Sequence, residues 1–223
     1  ARAWLSFLPG GLALATTCAS AGFAAASGSS VAMAGAMSRL AVPEMLKAGY
    51  NKGLAAGVVA ASGTLGALIP PSIPFILYAV FMEASVSKLL IAGIVPGLLT
   101  LGAYSALIML RVWRNPALAP RVETEFSFAE KRRLLSSAWP MPLIVLGIVG
   151  GLYSGVFTAT EVGALGAVIT LVVATASGRM SLLTLRRAIQ ETVISTATIF
   201  FIAIGAVLFS QFLTLSRIPM EIG

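Results

Sequence analysis

Histidine and aspartate are both missing from this sequence, and cysteine occurs once, as Cys18. Without histidine, these residues hold neither an HExxH zinc protease nor a Ser-His hydrolase. Without aspartate, aspartyl chemistry is also excluded. A Ser-Lys dyad stays formally open, but no lysine lies inside an apolar run. A lone cysteine cannot close an intrachain disulfide, and Cys18 reads as a small buried hydrophobe. Charge is scarce too: 10% of residues are charged and 58% hydrophobic, with a mean hydropathy of +0.96. A soluble domain carries about a quarter charged residues. The chain does not begin with methionine, and an apolar run starts at Ala3, so it is expected to be a fragment. That run is too long for a signal peptide.

The uncharged runs are 3–38, 53–82, 89–110, 134–160, 162–178 and 192–216. Crossing a hydrocarbon core of ~30 Å takes about 20 helical residues. Backbone groups in lipid must bond internally, so the runs are expected to be helical. They lack the ~10-residue alternation of a β-barrel. The net charge of +7 does not point to nucleic acid. Its basic residues sit between apolar runs, where Lys and Arg set orientation, without the aromatic-basic interleaving of single-strand binders.

Two runs are broken. Residues 3–38 are interrupted by Pro9-Gly10-Gly11 and by Ser27-Gly28-Ser29-Ser30. Between the breaks, 12–26 makes a helix of about 22 Å, and 31–40 one of about 15 Å. Neither arm crosses the bilayer, so the run predicts a re-entrant helical hairpin at about 10–40 with SGSS at its tip. Its arms are rich in Ala, Gly and Ser, which permits close helix packing. After a polar loop, 39–52, the second broken run is interrupted by Ile69-Pro70-Pro71-Ser72-Ile73-Pro74. Proline lacks an N–H and clashes with the preceding turn. Residues 53–68 and 74–82 are therefore two halves of one discontinuous span.

Spans follow at 89–110, with a kink at Pro96-Gly97, and at 137–156, 159–177 and 192–214. In 111–133, Phe126, Phe128 and the KRRLL run suggest an interfacial amphipathic helix. Residues 178–191, with Arg179, Arg186 and Arg187, are a basic loop or short surface helix. The basic loops all fall on one face, which is expected to be cytoplasmic. Reading 3–38 as one full span leaves the later loops unchanged. Trp4, Trp113 and Trp139 read as interface anchors, and Arg39 as a residue that snorkels to the interface. Glu44, after Pro43, reads as a surface acid. Glu161 is the only acid deep in an apolar stretch, but Thr158-Ala159-Thr160-Glu161 fits a capping box better than a coupling carboxylate.

A re-entrant tip and a broken helix both place free backbone groups at membrane depth, where secondary transporters build substrate and cation sites. Helix N-termini favour anions and unwound carbonyls favour hard cations. Ser29, Ser30, Ser62-Gly63-Thr64 and Pro70-Pro71-Ser72 offer such groups here. Locally, SGSS could equally be a tight helix-helix turn and PPS a simple kink.

Over residues 22–99, Gly28-Ser29-Ser30-Val31-Ala32, Pro43-Glu44-Met45, Gly49-Tyr50, Gly63-Thr64-Leu65-Gly66, Ile69-Pro70-Pro71-Ser72-Ile73 and Ala92-Gly93-Ile94-Val95-Pro96-Gly97 follow one another in a distinctive order and spacing. Gly151-Leu152-Tyr153-Ser154-Gly155-Val156-Phe157-Thr158-Ala159-Thr160-Glu161 adds a GxxxGxFTxTE segment. In these motifs the chain resembles the large membrane subunit of tripartite ATP-independent periplasmic (TRAP) transporters, over nearly its whole length.

The resemblance implies an all-α polytopic membrane protein of elevator type, like the ion-transporter superfamily. It would be a multi-pass protein of the bacterial or archaeal inner membrane. It implies a sodium-coupled importer of an organic acid, such as a dicarboxylate or sugar acid. The partners would be a small membrane subunit and a periplasmic binding protein that delivers the substrate. No organic cofactor is implied, only sodium as the coupling ion. Substrate roles fall on Ser27, Gly28, Ser29, Ser30, Pro71 and Ser72, and sodium roles on Ser29, Gly63, Thr64 and Pro70. Residues 1–110 would be the first-repeat transport part, 111–136 a cytoplasmic amphipathic linker, and 137–223 the start of a second inverted repeat. No second Pro-Pro motif occurs, so the chain is expected to hold about half a transport site. A channel or scaffold subunit, or an intramembrane enzyme, are the competing readings.

Overall fold

The computed structural model describes residues 8–120, 132, 139–178 and 180–216. Among them the chain is all-helical: α1 Gly11–Ser27, α2 Ser30–Lys47, α3 Lys52–Gly63, α4 Leu65–Leu68, α5 Ile73–Phe81, α6 Val86–Ala92, α7 Ile94–Arg114, α8 Pro140–Tyr153, α9 Ala159–Ala176 and α10 Leu182–Ser216. The interfacial helix expected around Phe126 and Phe128 lies outside the described residues, as do Arg2, Trp4 and Arg179. The chain divides into two compact units, Ala1–Thr170 and Leu171–Gly223.

In the first unit, α1 and α2 form a helical hairpin. Gly28 stops α1 in the left-handed conformation (φ 63°), its N–H bonding to the Ala24 carbonyl. Ser29 restarts the chain as the N-cap of α2, its Oγ accepting from the Ala32 N–H at 3.2 Å. Ala13, Thr17, Ser20 and Ala24 are all fully buried. Their spacing of three and four residues makes them one face of α1.

The second arm is longer than the sequence suggested. Instead of ending near residue 40, α2 runs through Pro43 to Lys47, so the loop expected at 39–52 shrinks to four residues, 48–51. Met33 and Met45 are fully buried, and Met37 and Ala41 pack against the same core as Met45. This four-residue stripe continues past the proline and outweighs the bond that Pro43 cannot make. Arg39 is therefore a mid-helix residue. Glu44 sits near the helix end, ion-paired to Lys47 at 3.2 Å.

Asn51 then caps α3, its Oδ1 accepting from the Gly53 and Leu54 amides. The core of this unit joins Ala13, Leu14, Met45, Tyr50, Leu54, Ala55, Val58, Val59, Ile108 and Val112. The discontinuous span appears as expected, with Ile69 and Ser72 extended between α4 and α5. A further interruption, at Thr64, divides α3 from α4. The kink expected at Pro96-Gly97 falls instead at Gly93, between α6 and α7. Proline is tolerated in the first turn of a helix, so Pro96, the third residue of α7, does not break it.

Cys18 is exposed rather than buried. It follows Thr17 by one residue, about 100° around α1, and so turns away from the packed face. Trp113 and Trp139 are exposed, as interface anchors would be.

Among the described residues, three stretches are long and apolar enough to cross a membrane: Lys52–Phe81, Val86–Arg114 and Leu182–Ser216. Gly11–Ser27, Pro140–Tyr153 and Thr160–Ala176 are shorter apolar helices. In the second unit α10 is one helix of 35 residues. It absorbs both the basic stretch after residue 181 and the expected span at 192–214, because Leu182–Ser216 contains no proline.

The box at the start of α9 forms as the sequence predicts. Glu161 Oε2 accepts from the Thr158 N–H at 2.7 Å and from its hydroxyl at 2.9 Å, and the Glu161 N–H donates back to Thr158 Oγ1 at 3.3 Å. Thr158→Ala is expected to cost about 1 kcal/mol, whereas Glu161→Gln keeps the box and most of the stability. Thermal unfolding of the full-length protein in detergent checks both. Met45→Ala, which empties a fully buried site, is expected to cost about 2–5 kcal/mol in the same assay.

Candidate functional site at the hairpin tip and the helix break

Residues 69–72 cannot be helical for a local reason. In a helix the amides of residues 70 and 71 would bond to the carbonyls of Gly66 and Ala67, but both positions are proline. The Pro70–Pro71 peptide is cis. The Ser72 hydroxyl replaces one missing donor, bonding the Ala67 carbonyl at 2.6 Å. Ser72 is fully buried, and although it stands at the N-cap of α5 its side chain does not cap that helix. The carbonyls of Ile69, Pro70 and Pro71 accept no hydrogen bond among the described residues.

The hairpin tip packs into this break. The Ile73 N–H, the first of α5, donates to the Gly28 carbonyl at 3.3 Å. A Cβ on Gly28 would lie 2.5 Å from the Pro71 carbonyl oxygen. Only glycine meets both this approach and the positive φ. On the other side of the tip, a Cβ on Gly66 would lie 2.8 Å from both the Ser30 nitrogen and its Cα.

The predicted site residues are thus mostly brought together. Ser27, Gly28, Ser29 and Ser30 form the tip, and Pro70, Pro71 and Ser72 form the break beside it. Ser27 Oγ accepts from the Ser29 N–H at 3.4 Å. Ser29 Oγ is occupied by the Ala32 amide, while the amides of Ser30 and Val31 have no partner among the described residues. Gly63 and Thr64 lie farther back. A Cβ on Gly63 would face the Ala34 side chain at 3.5 Å. The Thr64 hydroxyl donates to the Ala61 carbonyl at 2.8 Å and meets the Tyr104 hydroxyl at 2.8 Å. Ser62 faces α1, its buried hydroxyl donating to Thr17 Oγ1 at 3.3 Å. A cavity of about 240 Å³ lies alongside α3, lined by Thr17, Ser62, Tyr104 and Arg111 among others.

Sequence reasoning missed three contributors. Gly66 stood inside a quoted motif, but nothing local marked it as the seat of Ser30. The Ile73 amide is a backbone group and leaves no residue-type signal. Tyr104 lies 40 residues from Thr64, too far for any spacing rule.

None of the nine residues assigned to the site carries a group that is charged at neutral pH. What the junction offers is dipoles: amides at the start of α2 and carbonyls in the break. Amide and carbonyl dipoles of this kind are the groups with which helix ends attract anions and cations. The junction has no nucleophile-base pair for covalent chemistry.

Gly28→Ala and Gly66→Ala are each expected to disrupt the junction, at about 1–3 kcal/mol apiece. Gly22→Ala and Gly57→Ala, where a Cβ would meet nothing within 4 Å, are expected to be neutral or slightly stabilising. Thermal midpoints of the four variants in detergent give the comparison.

The family model for the tripartite ATP-independent periplasmic transporter DctM component matches residues 2–223. The C4-dicarboxylate TRAP transporter large permease protein DctM of Pseudomonas aeruginosa is 42% identical over 226 residues, covering 100% of this chain and 52% of that protein. The ectoine/5-hydroxyectoine TRAP transporter large permease protein UehC of Ruegeria pomeroyi is 36% identical over 222 residues, covering 99% of this chain and 51% of that protein. The 2,3-diketo-L-gulonate TRAP transporter large permease protein YiaN of Escherichia coli is 36% identical over 217 residues, with 96% and 50% covered. The chain spans about half the length of these relatives. All three are named as permeases rather than enzymes. With the family model matched over nearly every residue and these identities over nearly the whole chain, the protein belongs to the DctM family, the large permease component of tripartite ATP-independent periplasmic transporters.

Proposed function

We propose that this chain carries one half-site of a sodium-coupled, elevator-type importer of an organic acid, in a multi-pass protein of the inner membrane. The observation that carries the reading is where the hairpin tip docks. Gly28 bonds to Ile73, which lies inside the membrane-crossing stretch Lys52–Phe81 and not at its end. A tip that meets a crossing helix partway along is at membrane depth, so the α1–α2 hairpin is re-entrant.

The length of α2 agrees with this. Its uncharged part is Ser30–Ser38, about 14 Å of helix and about half a hydrocarbon core. Beyond it come Arg39, Glu44 and Lys47, all exposed, as suits the headgroup region and water. The helix outlasts the membrane rather than crossing it.

The site then divides by sign. The free amides of Ser30 and Val31 receive the substrate carboxylate, as helix N-termini do, at a tip shaped by Ser27, Gly28 and Ser29 and seated on the break that Ser72 closes. The unwound carbonyls at Pro70 and Pro71, with Ser29, Gly63 and Thr64, receive sodium, a hard cation that oxygen ligands suit. Pro71 serves at the boundary of the two. The relatives named for C4-dicarboxylate and 2,3-diketo-L-gulonate favour an acidic substrate. A small membrane subunit and a periplasmic binding protein complete the system. Residues 1–110 belong to the first repeat, 111–136 to a cytoplasmic linker and 137–223 to the second.

The test is uptake by the full-length permease with both partners in proteoliposomes, using a C4-dicarboxylate as the probe. Uptake is expected to need an inward sodium gradient and the binding protein. Uptake that proceeds equally without sodium would sink the coupled mechanism.

A further inference from the structure

The break is held from outside by α7, a helix that no motif tied to it. Gly93, just before α7, would bring a Cβ within 2.7 Å of the Leu68 carbonyl oxygen, and Gly97 one within 3.1 Å of the Ile69 side chain. Tyr104 lies seven residues beyond Gly97, two turns along the same face. There its hydroxyl meets Thr64 at 2.8 Å. One continuous helix therefore grips the discontinuous one at two points, Leu68–Ile69 and Thr64, about 10 Å apart along α7.

The direction of the Tyr104 bond follows from proton counting. A hydroxyl carries one proton and two acceptor lone pairs. Thr64 donates its proton to the Ala61 carbonyl at 2.8 Å, so Tyr104 donates to Thr64. One lone pair on Thr64 Oγ1 is left over, and the two bonds together fix where it points. The Thr64 N–H also bonds back to the Ala61 carbonyl, so backbone and side chain are tied to the same point.

We propose that Tyr104 is a positioning residue for cation binding: its hydroxyl holds the Thr64 oxygen in the orientation in which that remaining lone pair ligates the coupling ion. The proposal rests on the sodium site proposed above. Tyr104 also borders the cavity lined by Ser62 and Arg111. A phenylalanine in its place fits the same space, and the Thr64 hydroxyl it abandons still donates its proton to the Ala61 carbonyl. The variant thus loses the positioning bond without leaving a buried orphan.

The experiment uses the full-length permease with both partners in proteoliposomes, titrated with sodium and with a C4-dicarboxylate. Tyr104→Phe is expected to raise the half-saturating sodium concentration about fivefold, the effect of one ordinary hydrogen bond. The half-saturating substrate concentration at saturating sodium stays put, and the thermal midpoint in detergent moves by no more than about 2 °C. Thr64→Val is expected to raise the sodium requirement at least as much, and adding Tyr104→Phe to it to change nothing further. Sodium-dependent wild-type uptake with an unmoved Tyr104→Phe titration overturns this proposal alone. So does a variant whose sodium and substrate constants shift together with its thermal midpoint, since that is a packing effect. Sodium-independent wild-type uptake overturns the sodium site and this proposal together.

Discussion

Two adjacent prolines set the terms for the rest of this structure. Pro70 and Pro71 withdraw two amide donors from a stretch otherwise apolar enough to cross a membrane, and unpaired backbone groups at that depth cost several kcal/mol each. Two bonds from the surrounding residues offset part of that loss. The Ser72 hydroxyl takes the Ala67 carbonyl. The Ile73 amide, freed at the start of α5, takes the Gly28 carbonyl. That second bond brings the hairpin tip against the break, which in turn requires glycine at 28 and at 66. The docking of the tip and the two glycines it requires follow from one pair of missing N–H groups, while the turn itself is made locally by Gly28 and Ser29.

Both interruptions were legible in the sequence because their causes are local. Proline cannot donate, and Gly28 with Ser29 makes a stop followed by a cap, so SGSS and IPPS announce themselves without any tertiary contact. The capping box of Thr158 and Glu161 was legible for the same reason. What failed was tertiary. The second arm was expected to end near residue 40, in a polar loop that holds Pro43, but the packing of Met33 and Met45 carried α2 past it. Cys18 looked like a core residue by type, yet its angular position on α1 turns it outward. Gly66 and Tyr104 contribute through partners 36 and 40 residues away, and no spacing rule reaches that far.

The correction to α2 changes the argument for re-entrance. Reading the arm as too short to cross treated helix length and membrane depth as one quantity. The structure separates them: α2 has 18 residues, but its charged residues begin at Arg39, and only the part before Arg39 is apolar enough for lipid. On the proposed reading the exposed second half of α2 is a cytoplasmic extension that anchors the hairpin through Met45 to the core around Tyr50 and Val58. The tip can then be held from both ends, by the break at Ile73 and by a core about 25 Å away along α2.

On the proposed reading, a half-site built without fixed charge has a consequence for coupling. A lone carboxylate at the junction would meet only partial charges, those of amides at a helix start, and a lone cation only those of carbonyls. Each ion by itself would then recover only part of the hydration it loses on leaving water. Two opposite charges about 4 Å apart attract by ~4 kcal/mol at an effective dielectric constant near 20. Bound together, on the proposed reading, each supplies the counter-charge that the protein omits. An ionisable side chain at the same place would supply that charge permanently and let one ion bind without the other. With no such side chain among the nine residues of this half-site, the counter-charge on the proposed reading falls to the other bound ion or to the rest of the permease, and the geometry of the neutral oxygen ligands, Thr64 among them, is what this chain contributes to the link between the two.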